Sequence, residues 1–348
     1  MNTFDSSEYK VTFLLGAGAS AKALPTVKST STTEGLYKRL KDFADNLEKD
    51  NPQILDSYKS FVSSMVADIS WLADNSFKFG TPDTFAKFLY LQERKSLPRL
   101  KNALSFYFTV EQFINNKFDD RALIFLTTVM QRNNIFPTNI KILNWNYDSQ
   151  IQLAADVFRQ EKFHIGQGTV HSPPLVGYYP SLGHSFYTNN ATDLEETAMV
   201  HLNGIAGYYF NEQLSTTLNL FLNQKPKDIN EIIEKLLTDK QHKHTLLTFA
   251  WERDTEAANI LRARIEMAKK VAAASDILVI IGYSFPFFNR EIDKNIFDSL
   301  KESGKLKRIF YQDPYKTSDF LKNQFDLPDT IEIIHITEKD NYFVPNEL

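Results

Sequence analysis

Apolar positions follow two alternating rhythms along this chain. Six short apolar runs predict strands, at Val11–Leu15, Asn139–Leu143, Thr197–Leu202, Ile277–Ile281, Leu306–Tyr311 and Thr330–Ile336. Val11–Leu15 and Ile277–Ile281 are nearly unbroken, as expected of strands buried on both faces. Elsewhere the period lengthens. Leu36, Leu40, Phe43 and Leu47 recur at helical spacing within Glu34–Glu48, with Thr33 placed to cap. Similar spacing predicts helices over 53–66, 83–95, 99–116 and 118–132, then at Ser149–Arg159, 227–239, 254–274, Asn289–Leu300 and Thr317–Phe325. Residues 161–196, rich in Gly, Pro, Ser, His and Tyr, show no period. They read as a long loop, a natural lid, with Gly166, Gly168, Gly177 and Gly183 as hinges.

Strands that alternate with helices predict an α/β fold, a Rossmann-like parallel sheet with helices on both faces. The helical stretch after the first strand is too long for one crossover. The expected division is therefore a Rossmann-type domain from residues 1–30 and 136–348, interrupted by a helical insertion subdomain at 31–135.

Composition narrows the chemistry. Among 348 residues, 39 Lys and Arg stand against 43 Asp and Glu, so no overall basic field points to nucleic acid. Cysteine is absent, which excludes disulfides, thiolate catalysis and Cys-based metal sites, and fits a cytoplasmic protein. The start, MNTFDSSEYK, is polar and shows no secretory signal, and no apolar run approaches the roughly 18–20 residues needed to span a bilayer. His242 and His244 lie in a Lys-rich stretch and read as surface residues, so no metal is expected.

The remaining candidates end predicted strands, where open α/β sheets bind ligands. Gly16-Ala17-Gly18-Ala19-Ser20 is either a dinucleotide-type phosphate loop or an ordinary tight turn. Asn146 and Asp148 follow the second strand at i, i+2; they could orient sugar hydroxyls or a water, or Asp148 could cap the next helix. His201 ends the third strand and is either a proton acceptor or a structural histidine. Gly282-Tyr283-Ser284-Phe285-Pro286 and Gln312-Asp313-Pro314 occupy the same position after the next two strands. Five such turns ending five strands count for more together than singly.

In this order the motifs resemble the sirtuin superfamily, and more closely its prokaryotic sirtuin-like branch found in anti-phage defence. The resemblance covers blocks at 11–26, 138–150, 198–204, 275–292 and 306–315. It implies that Gly16, Ala17, Gly18, Ala19 and Ser20 bind the phosphates of NAD+, with Pro25 and Thr26 in the segment that follows. It assigns Asn146 to the nicotinamide ribose or the attacking water, Asp148 to the same pocket, and His201 to the general base. Gly282, Tyr283, Ser284 and Phe285 match a cofactor-contacting segment, and Asp313 stands where the family often places an Asn against the adenosine ribose. Three departures matter. The four-cysteine zinc ribbon of the deacylases cannot exist. Pro25-Thr26-Val27-Lys28 replaces their Pro-Asp-Phe-Arg, and His201-Leu202-Asn203-Gly204 replaces His-Gly. The first two disfavour peptide deacylation.

What the resemblance implies is an NAD+ hydrolase, with NAD+ as substrate and no metal, acting as an abortive-infection effector. Such an activity would need gating by self-assembly as a homo-oligomer, or by a sensor or NTPase partner encoded nearby. The alternatives are a non-catalytic NAD+ or ADP-ribose-binding module and a sirtuin-type deacylase. Neither membrane association nor direct nucleic-acid binding is expected.

Overall fold

The computed structural model describes residues 9–27, 35–131, 135–162, 176–179, 197–210, 217–219, 226–238, 244–253 and 257–348. Its centre is β1 (Val11–Leu15), flanked by β2 (Ile140–Asn144) and β8 (Ile277–Ile281). Outside β2 lie β4 (Met199–His201) and β3 (Tyr178–Tyr179); outside β8 lie β9 (Arg308–Gln312) and β10 (Glu332–Ile336). All seven strands run parallel, in the order β10-β9-β8-β1-β2-β4-β3. This is a Rossmann-like α/β sheet. Strand order reverses between β1 and β8, and that crevice is where such sheets take ligands.

Period-two alternation explains the unbroken apolar runs. Val11, Phe13 and Leu15 of β1, with Ile277, Val279 and Ile281 of β8, enter one core; Leu14, Leu278 and Ile280 enter the other. The second core is closed by α8 (Ala257–Ala273), α9 (Arg290–Glu302) and α10 (Asp319–Phe325), where Phe297 stacks on Phe325 at 3.7 Å between ring centroids.

Among the described residues five α-helices lie between β1 and β2: α1 (Leu36–Asp50), α2 (Lys59–Lys78), α3 (Pro82–Gln92), α4 (Leu97–Phe113) and α5 (Asp120–Val129). Their apolar faces belong to the first core, and Phe125 of α5 meets Phe13 of β1 edge-on at 4.8 Å. A buried ion pair, Lys101 Nζ to Glu252 Oε1 at 2.7 Å, ties α4 to the segment before α8. The expected helix at 53–66 is placed later, over 59–78. Pro52 and a turn occupy its expected start, and the apolar stripe Val62, Ile69, Leu72 and Ala73 runs on past residue 66. The candidate cap Thr33 lies outside the described residues; α1 begins after Gly35.

The helix after β2 is α6 (Gln150–Lys162), and α7 (Ile229–Thr238) comes later. Between and beside them is a small antiparallel sheet, β6-β5-β7 (Thr217–Asn219, Tyr208–Phe210, His244–Thr245). Most of the long loop, including Gly166, Gly168 and Gly183, lies outside the described residues. Its described part, around Gly177, contributes β3 to the sheet edge. No helix among the described residues is long and apolar enough to cross a membrane.

Candidate functional site

The phosphate-loop candidate leaves β1 and turns directly into one 3-10 turn, Ala17–Ser20. Its glycines answer to a neighbour. A Cβ on Gly16 would lie 2.6 Å from Tyr283 Cα, and one on Gly18 would lie 2.6 Å from Gly282 Cα. Gly282 itself has φ +58°, and its Cβ would lie 2.5 Å from Gly18 Cα. The turns after β1 and β8 therefore touch backbone to backbone at the point of reversal, which only glycine permits. Two amides seal the contact: Gly16 N–H donates to Ile281 O at 3.0 Å and Gly18 N–H to Gly282 O at 2.9 Å. Ala19 N–H is also used within the loop, donating to Gly16 O. Ala17 is exposed, and its N–H has no partner among the described residues.

Asn146 and Asp148 come to the same loop. The Asn146 amide Nδ2 donates to Gly16 O at 2.9 Å and to Ser20 Oγ at 3.2 Å, while its backbone N–H donates to Asn144 Oδ1 at 3.0 Å. Asp148 accepts from Gln150 N–H at 3.2 Å at the start of α6, so the capping geometry is present. It does not account for the whole site. Burial pushes the Asp148 carboxyl up to about 6; the facing Ser20 hydroxyl and the Gln150 amide pull it down, and the Asp119 charge pushes it further up. A carboxyl titrating near neutrality beside a phosphate-loop candidate is chemically poised.

His201 sits in register with Asn144, one strand over. The residue is 1% exposed, with Nε2 2.6 Å from the Gln152 side-chain amide and Nδ1 buried. Burial, reinforced by the Arg264 charge and opposed by the Asn146 carbonyl, lowers its pKa to about 3. The imidazole is neutral and, so enclosed, a weak base. Arg264 is fully buried, held by Thr248 Oγ1 at 2.9 Å and Leu246 O at 3.2 Å. Buried polar atoms without partners gather along this edge: Ser149 Oγ, Gln152 Oε1, Asn203 Oδ1 and Arg264 Nε. Orphaned groups are costly in an apolar interior, and so many at one sheet edge suit a polar ligand.

The turn after β8 meets the loop through its backbone, while its aromatic side chains point elsewhere. Tyr283 turns inward, stacks on Trp145 at 14° between planes, and donates to Asp293 at 2.9 Å. Phe285, at φ +53°, packs among Phe297, Phe320 and Phe325. Ser284 and Pro286 are the exposed members of that segment, and Lys316 Nζ donates to the Ser284 carbonyl at 3.2 Å. Asp313 closes its own turn, accepting from Tyr315 and Lys316 N–H, both at 2.8 Å. Pro25 and Thr26 are half-buried, and Thr26 O accepts from Leu36 N–H at the start of α1. His164, His171, His184 and His242 lie outside the described residues. No cluster of three or more His, Asp or Glu among the described residues could hold a metal ion.

Sequence reasoning missed the supports. Gln112 of α4 accepts from Ser149 N–H at 2.7 Å, and Gln150 Oε1 accepts from Asp119 N–H at 2.7 Å, so α4, α5 and α6 meet beneath Asp148. Arg264 carried a signal, being the one charge on the stripe Ile260, Leu261, Arg264, Ala268 and Val271. Gln112 carried none.

No protein-family model matches the chain, and no curated protein matches it significantly. Among solved structures, the chain is similar to one described as "The Structural basis of Sirtuin Substrate Affinity", at 11% identity and a TM-score of 0.41, covering 94% of this chain and 89% of that one.

Proposed function

We propose that this protein is an NAD+ glycohydrolase, releasing nicotinamide and ADP-ribose, and that it serves as the gated effector of an anti-phage defence system. The observation that carries this reading is the meeting of Asn146 with the Gly16–Ser20 loop, beside His201 and a carboxyl that titrates near 6. The order of motifs in the sequence supports it.

In the proposed reaction the bond from ribose C1′ to nicotinamide breaks, and its electron pair leaves with the nicotinamide ring. The ribose passes through an oxocarbenium-like centre, as glycosides do. Asn146 positions the 2′/3′ hydroxyls or the water, Asp148 stabilises the developing positive charge, and His201 takes the proton as water adds at C1′. His201 at 1% exposure cannot meet substrate without movement around it. That enclosure is the basis for gating: assembly with copies of the chain or with a partner opens the edge of β2 and β4 and restores the basicity of the imidazole.

A second reading has its own support. A base with a pKa near 3 suits a module that binds NAD+ or ADP-ribose without turning it over. Nicotinamide release decides between them, measured across protein concentration and with the products of neighbouring genes. Release that falls by about 10²–10⁴-fold in folded His201→Ala and Asn146→Ala proteins supports the hydrolase. Binding without release under every condition supports the module. Undiminished release from His201→Ala removes His201 from the reaction.

A further inference from the structure

An arginine in the first turn of a helix is electrostatically misplaced, because the free amides there already carry partial positive charge. α5 nevertheless opens with Asp120 and Arg121 behind its cap, Asp119. The reason is what the guanidinium reaches. Arg121 Nη2 donates to Gly18 O and Ala19 O, both at 3.1 Å, and Nη1 donates to Lys339 O at 3.1 Å. Asp119 locks the other side, accepting from Arg121 Nε at 2.8 Å and Nη2 at 2.6 Å, and from Lys22 N–H at 3.1 Å. The Asp119 side chain is fully buried and that of Arg121 nearly so. Tyr342, from the C-terminal segment, donates its hydroxyl to the same Ala19 O at 2.6 Å. Two successive loop carbonyls are thus drawn inward by a cation and a phenol.

We propose that Arg121 is a positioning residue for the Gly16–Ser20 loop: clamped by Asp119, it holds the loop backbone in the shape that receives the diphosphate of NAD+. The identity of the ligand rests on the function proposed above, while the clamp rests on these hydrogen bonds alone. Through it, the helices between β1 and β2 become part of the frame of the binding site. A lysine cannot reproduce it. One ammonium on a flexible stem lacks the Nε and Nη1 donors that hold Asp119 and Lys339 O while Nη2 faces both loop carbonyls.

The test uses the full chain with Arg121→Lys and, as a variant that leaves α5 untouched, Tyr342→Phe. Amide hydrogen exchange at residues 17–20 is measured without ligand, and binding of ADP-ribose and of adenosine is measured by calorimetry. Arg121→Lys is expected to speed loop exchange and weaken ADP-ribose about 10-fold, the scale of one lost charge-assisted hydrogen bond, with adenosine affinity unchanged. Tyr342→Phe is expected to act in the same direction and less strongly. Unchanged loop exchange in both variants overturns the proposal, as does an equal loss of affinity for adenosine and ADP-ribose, which marks a merely structural role. Wild-type protein that binds neither ligand removes the NAD+ reading, and the exchange measurement then judges the clamp by itself.

Discussion

Replacing Asp148 by Asn separates a structural carboxylate from a chemical one. Asn retains the oxygen that accepts from Gln150 N–H, so the start of α6 is preserved. What changes is the charge. In the folded protein the Asp148 carboxyl titrates near 6 rather than near its ordinary 3.8, chiefly through burial. The native state therefore binds its proton more tightly than the unfolded chain does. The stability that this proton confers is complete below about pH 4 and is lost as pH rises through 6. At pH 7.5 the ionised group costs about 3 kcal/mol, at 1.36 kcal/mol per tenfold change in proton affinity. Asp148→Asn is expected to be more stable than wild type by up to that amount at pH 7.5 and equal to it near pH 4. Urea unfolding at both values, with the slopes compared, measures the difference. The same protein is expected to release nicotinamide at least about 100-fold more slowly. A variant less stable at pH 7.5, or a stability difference that is the same at both values, would refute the linkage argument. Full activity would leave Asp148 as a cap.

Gly282→Ala places a Cβ 2.5 Å from Gly18 Cα in a left-handed conformation, so it should destabilise by roughly 2–5 kcal/mol in urea unfolding. Gly304→Ala, at φ +65° with open space around it, serves as the control and should cost only about 1 kcal/mol. Lys101→Met removes the cation from buried Glu252, which keeps the Phe249 N–H, and should cost about 3–5 kcal/mol; adding Glu252→Gln should recover a large part of that, as a double-mutant cycle will show.

The two central strands were legible to the residue because each is buried on both faces, which leaves an apolar run with no competing interpretation. Helices were legible in kind and less so at their ends. The small antiparallel sheet was invisible, since strands of two or three residues are too short to show a period. At the site, Gly16–Ser20, Asn146 and Asp148 were found as residues and come together as a group. The reason for the glycines was not visible: it lies in Gly282, hundreds of residues away in sequence and in contact in space. That the Tyr283 and Phe285 side chains face the core was hidden for a related reason. At a turn on the edge of a sheet, sequence does not say which side chains face the ligand and which face the core. Arg121 and Arg264 are buried cations, and composition counts them with the solvated ones.

The placing of β1 at the middle of the sheet has a consequence for how the protein is made. Val11 pairs with Ile140 on one side and Ile277 on the other, so this strand is made well before its first neighbour and longer still before its second. At about 5–20 residues per second, the second neighbour follows the first by on the order of ten seconds. Throughout that interval VTFLL is an apolar strand with an open edge, the kind of segment that aggregates or recruits a chaperone. The five helices that follow it are complete before β2 exists, and Phe125 already has Phe13 to pack against. Phe13 and Phe125 are both made before either neighbouring strand, so the native cover for one face of β1 is available while both of its edges still wait.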